Sequence, residues 1–256
     1  MEDFPQLIVM LTHNDLTIPD AEAVFEQCRN SPAAWFGFKE EPLPLEQMKA
    51  LCHRMKDCGK HTALEVVAYS EEEGLEGALL AVECGFEMMM GTKYSPAIHA
   101  ICKKAGLKYM PFVGRVEERP SILYGSALEM LEEARALAEA GVDGIDLLGY
   151  RSPEDADLLI REFVAHCPLP VCVAGIINDY GRLDTLRTCR PWAFTIGSAF
   201  FENHFGGPIN EQIETVCQYM QTPLTNTENT GDTARPAAKD KSAEDRAAKT
   251  KKETTC

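Results

Sequence analysis

Leu169-Pro170-Val171-Cys172-Val173-Ala174-Gly175-Ile176-Ile177-Asn178-Asp179, followed after a polar stretch by Ala193-Phe194-Thr195-Ile196-Gly197-Ser198-Ala199-Phe200-Phe201-Glu202-Asn203, decides the fold. Each half is an apolar run that ends in glycine where a buried strand would hand over to a helix. A glycine there lets the backbone approach a ligand closely. The amides that open the next helix lack internal partners and favour an anion. Two such turns side by side, on the last two strands of a (β/α)8 barrel, form that fold's usual phosphate cup.

Outward from this stretch the chain alternates. Continuous apolar runs at Leu7–Thr12, Ala34–Lys39, Thr62–Tyr69, Phe86–Thr92, Leu107–Gly114, Gly144–Gly149, Leu169–Gly175 and Trp192–Gly197 read as strands buried on both faces. Helix-period segments such as Leu45–Cys58, Glu71–Cys84 and Ser126–Ala140 lie between them. Cys84-Gly85-Phe86, Ala105-Gly106-Leu107 and Ala140-Gly141-Val142 each end a helix on glycine and re-enter a strand at once. Eight βα units favour an α/β (β/α)8 TIM barrel over an open sheet, and Thr12-His13-Asn14-Asp15 is no dinucleotide fingerprint.

At 256 residues the chain has the size of one barrel, expected over residues 1–222. From Pro223 the composition turns to Thr, Asn, Ala and mixed charge, with Leu224 the last large apolar residue. Residues 223–256 are therefore expected to be a disordered polar tail. A net charge of −15 argues against a nucleic-acid or acidic-membrane partner. Ten cysteines without a CxxC pair read as the reduced thiols of a cytoplasmic protein. The acidic start Met1-Glu2-Asp3-Phe4-Pro5 is no signal peptide, and no apolar run is long enough to span a bilayer.

Chemistry in this fold sits at the carboxyl ends of the strands. Glu65 and Asp146 stand out because each interrupts an apolar strand; a buried carboxylate must be paired or shift its pKa. Either is a candidate general acid or base, or half of an internal ion pair with Lys39 or Arg115. Lys39 and Lys93, at the ends of the second and fourth strands, could polarise a carbonyl or form an imine with it. Arg115, with its planar fork, joins Gly175, Ile176, Gly197 and Ser198 as the expected phosphate binders. No second histidine stands at ligand spacing from His13, so neither a metal nor a cofactor is expected. Met88-Met89-Met90 reads as core.

The pair Val173-Ala174-Gly175-Ile176-Ile177-Asn178 and Thr195-Ile196-Gly197-Ser198-Ala199 resembles the ribulose-phosphate-binding barrel superfamily. Locally it is similar to N-acylmannosamine-6-phosphate 2-epimerases, as are Ser70-Glu71-Glu72-Glu73-Gly74 and Gly85-Phe86 with Gly91-Thr92. Met90-Gly91-Thr92-Lys93-Tyr94-Ser95-Pro96 is similar to 2-keto-3-deoxy-6-phosphogluconate aldolases. The resemblance covers residues 7–220 and implies an epimerase, isomerase or lyase acting beside the carbonyl of a small phosphorylated sugar or sugar acid. The epimerases' second-strand lysine corresponds to Lys39, but Ala174 stands where they carry a catalytic glutamate. The aldolases' late Schiff-base lysine has no counterpart in Gly144–Tyr150. Two alternatives stay open: an aldolase with an imine on Lys39 or Lys93, and a non-catalytic ligand-binding or assembly barrel. A homo-oligomer is compatible with either.

Overall fold

The computed structural model describes residues 4–222; the tail expected over 223–256 lies outside them. Eight parallel strands form the barrel: β1 (Gln6–Met10), β2 (Trp35–Lys39), β3 (His61–Val66), β4 (Met88–Gly91), β5 (Lys108–Met110), β6 (Ile145–Tyr150), β7 (Val171–Gly175) and β8 (Ala193–Ile196). β1 lies between β8 and β2, as a closed ring requires. The seam between β5 and β6 closes through the Phe112–Asp146 bridge and an Asp146 amide that donates to Pro111 O at 3.0 Å.

Helices α1 (Ala21–Cys28), α2 (Leu45–Asp57), α3 (Glu71–Cys84), α4 (Pro96–Ala105), α5 (Ala127–Ala140), α6 (Ala156–His166) and α7 (Tyr180–Cys189) follow strands one to seven. The short α8 (Ser198–Phe201) and α9 (Ile209–Gln221) follow β8. Local chemistry sets their ends. Ser70 and Ser126 form capping boxes with Glu73 and Glu129, and Gly85, Gly106 and Gly141 close their helices in the left-handed region, as the sequence spacing predicts.

Strand parity divides the core into two layers. Ile8, Met10, Trp35, Ala63, Met88, Met90, Met110, Cys172 and Ala193 fill the lumen, whereas Met89 and the outward residues of the other strands pack against helices. The methionine triplet is core on both faces. All nine cysteines among the described residues are free thiols. No helix there is long and apolar enough to cross a membrane.

Two strands are shorter than their apolar runs. β3 ends at Val66 rather than continuing to Tyr69, because the Glu40 carboxylate takes the Val67 amide at 3.0 Å and the chain turns. β5 ends at Met110, where Pro111 has no amide to donate. Beyond it the chain leaves the barrel as a hairpin that pairs Arg115–Glu117 with Ile122–Tyr124.

Candidate active site

Lys39 ends β2 with its side chain turned into the lumen and almost fully buried. Its backbone is clamped from above. The Thr17 hydroxyl donates to Lys39 O at 2.9 Å and accepts from Lys39 N at 2.8 Å. Thr17 belongs to a small hairpin, Thr12–His13 with Leu16–Thr17, whose turn residues Asn14 and Asp15 both have positive φ. Asn and Asp tolerate that conformation best among non-glycine residues. The turn delivers Asp15 Oδ1 to within 2.5 Å of Lys39 Nζ. Strand register sets Glu65 beside Lys39, with Oε1 3.6 Å from Nζ. Burial disfavours the ammonium charge, but Glu65 and Asp15 outweigh it and hold Lys39 above the ordinary lysine range.

Asp146 shares the inward parity of Leu148, which lines the mouth, but sits one layer lower and is 1% exposed. Neither of its carboxylate oxygens has a hydrogen-bond partner among the described residues. Burial first, and the charge of Glu65 second, push its carboxyl well above the usual carboxylate range, against the pull of Lys39. Lys39, Glu65 and Asp146 thus form one electrostatic unit under the mouth.

Above this floor is a cavity of about 410 Å3, within the range of small-molecule sites. Of the residues singled out in the sequence, Lys39, Glu65, Gly175, Ile176, Gly197 and Ser198 line it together. Gly175 has φ +122°, and a Cβ there would stand 2.8 Å from the Tyr150 carbonyl carbon. Gly197 packs on Thr12, where a Cβ would meet the hydroxyl and lie 2.9 Å from the carbonyl oxygen. Only glycine fits either turn without moving a neighbouring strand.

Two candidates stand elsewhere. Arg115 is on the hairpin beyond β5, 61% exposed, paired with Glu117 at 2.6 Å and stacked on the Tyr124 ring. It does not line the cavity. Lys93 is exposed, with Nζ 5.9 Å from the Tyr69 ring centre, and it too lies off the cavity wall. Tyr69 turns away with the end of β3, and its hydroxyl donates to Glu118 O at 2.7 Å.

Two lining residues, Arg151 and Glu202, are not among the sequence candidates, and Asp15, from the polar His13-Asn14-Asp15 stretch after the first strand, joins them on the wall. The signal for Asp15 is the Asn-Asp pair between Thr-His and Leu-Thr, a two-residue hairpin turn. Arg151 directly follows the last residue of β6, a strand-end position like those considered for the lysines. Glu202 follows α8, in a segment read only for its glycine turn. Among the described residues no group of three or more metal-capable side chains converges.

Comparison with solved structures finds the same architecture in proteins of different sequence. A 4-hydroxy-2-oxoglutarate/2-dehydro-3-deoxyphosphogluconate aldolase matches with a TM-score of 0.61 at 14% identity, over 85% of this chain and 96% of that one. The fold is a (β/α)8 barrel. The tryptophan synthase alpha chain from Legionella pneumophila matches with a TM-score of 0.61 at 12% identity, over 85% and 92% of the two chains. The N-acetylmannosamine-6-phosphate 2-epimerase from Clostridium perfringens gives 0.56 at 14% identity, over 76% and 86%. No family model matches the sequence, and no curated protein matches it. These barrels are enzymes, and at such identities the likeness concerns the fold, not the reaction.

Proposed function

We propose that this barrel is an enzyme that moves a proton beside the carbonyl of a small phosphorylated sugar or sugar acid, as an epimerase or isomerase does. One observation carries the reading: a buried ammonium, Lys39, held between Asp15 and Glu65 on the floor of a cavity walled by the Gly175 and Gly197 turns. The phosphate rests on the backbone near Gly175, Ile176, Gly197 and Ser198. The sugar carbonyl then points down to Lys39. Glu65, which lines the cavity, takes the proton from the carbon next to the carbonyl. The electron pair moves onto the carbonyl oxygen, where the fixed ammonium stabilises the enolate. Glu65 then delivers that proton, on the same face, to the former carbonyl carbon while the neighbouring hydroxyl passes its proton to the enolate oxygen, which gives the isomer. Asp146 lies below the floor and acts through Glu65 and Lys39, not on the substrate.

The charge on Lys39 argues against the imine alternative, since an imine-forming lysine must give up its proton first. Borohydride with a panel of 2-oxo acids is expected to leave both Lys39 and Lys93 unlabelled.

The test of the main reading is hydrogen exchange in deuterated water with a panel of sugar phosphates and sugar-acid phosphates, followed by NMR. The expected result is deuterium at the carbon next to the carbonyl of at least one member, with loss on the order of a hundredfold or more in Glu65→Gln. No exchange with any member would overturn the reading.

A further inference from the structure

The cavity wall carries two cations, Lys39 and Arg151, and three carboxylates, Asp15, Glu65 and Glu202. Their partners divide the cavity into two ends. Lys39 is already shared by Asp15 and Glu65. Arg151 is half-buried, and among the described residues its side chain makes no ion pair, hydrogen bond or ring contact. Its backbone, by contrast, is fixed on both sides: the amide donates to Leu148 O at 2.9 Å, and the carbonyl accepts from Leu123 N at 3.2 Å. Neighbouring arginines are occupied. Arg182 stacks on Tyr150 at 4.8 Å, and Arg119 reaches the Val67 carbonyl and Glu41. Because Tyr150 pairs with Gly175, Arg151 emerges beside the β7 glycine turn.

A half-buried guanidinium without a counter-charge, at the one wall built for close backbone approach, is a planar fork open to an oxyanion. The opposite end has no such cation to offer. Asp15 and Glu65 there accept hydrogen bonds from hydroxyl groups and repel a second carboxylate, whereas Glu202, whose amide donates to Ser198 O at 2.9 Å, stands by the β8 turn and pairs with His13 and His204.

We propose that Arg151 is the specificity-determining counter-charge for a single phosphate, and that the substrate is a phosphorylated sugar with a neutral, hydroxyl-bearing other end, not a phosphorylated sugar acid. This rests on the phosphate reading of the glycine turns and narrows its substrate class.

Calorimetric titration of the full chain with inorganic phosphate, glucitol 6-phosphate and 6-phosphogluconate tests it. The last two are linear and differ in whether a carboxylate ends the chain. The neutral-headed phosphate is expected to bind roughly tenfold or more tightly than the acid. In Arg151→Gln the affinity for glucitol 6-phosphate falls on the order of ten- to a hundredfold, as for loss of a charge-assisted contact. The unliganded melting temperature stays unchanged, because the side chain supports nothing else. Equal or tighter binding of 6-phosphogluconate to the wild type overturns the substrate class. A folded Arg151→Gln that binds within twofold of wild type overturns the role of Arg151. If wild type binds none of the three, the phosphate reading itself fails.

Discussion

Lys39 shows how a single residue can be ambiguous in sequence and specific in structure. A lysine after an apolar strand is equally consistent with a solvent-facing side chain, an imine nucleophile or a fixed cation. Burial alone would lower its pKa and favour the nucleophile; Asp15 and Glu65 reverse the sign. Because its folded pKa is raised, the pair's contribution to stability is present below the ordinary lysine range and is lost as pH rises through the folded value. Removing the ammonium strands two carboxylates in a largely closed site. Lys39→Met is expected to cost about 3 kcal/mol in urea unfolding, the usual penalty for breaking a buried pair. A cost under about 1 kcal/mol, as for exposed pairs, would mean that the carboxylates are solvated instead.

The element scale is where the glycine turns act. Gly175 holds a positive φ with the Tyr150 backbone against it, so β6 and β7 meet at their tips. Gly175→Ala adds both backbone strain and a clash. The expected loss is about 2 kcal/mol of stability, together with phosphate binding, seen as a lower melting temperature that added phosphate no longer raises. A variant stabilised by phosphate as strongly as wild type would remove the turn from the anion site. The turn was readable in sequence because a glycine between an apolar run and a helix has few other uses. The end of β5 was not. Leu107–Gly114 is apolar throughout, yet the ladder ends at Met110 with a single Phe112–Asp146 bridge beyond Pro111, and Arg115 is carried out on a hairpin. Arg151 took the wall position expected of Arg115 because β6 keeps its pairing up to Tyr150.

For the whole molecule, the lumen sets the pH response. Asp146 sits below the Lys39 and Glu65 layer with its carboxyl raised by burial and by Glu65, so the folded state favours its neutral form. The sign follows: its contribution is complete below the unfolded carboxylate value of about 4 and is lost as pH rises through the folded value. Asp146→Asn should therefore gain on wild type in melting temperature as pH rises above about 4, at roughly 2–4 °C per kcal/mol. Parallel melting curves across that range would show that Asp146 does not titrate there. The same lumen marks the division between sequence and tertiary structure. Sequence alone determined the alternation of strands and helices, their glycine and serine ends, the embedding of Glu65 and Asp146 in apolar strands, and the two glycine turns. All of these follow from local backbone periodicity and the steric freedom of glycine. Which charges share the mouth was decided by the barrel. Asp15 reaches Lys39 across a hairpin, Glu65 meets it through register, and Arg151 rather than Arg115 lines the wall. Those meetings depend on where each strand leaves the sheet and which strand it pairs with, and local periodicity encodes neither.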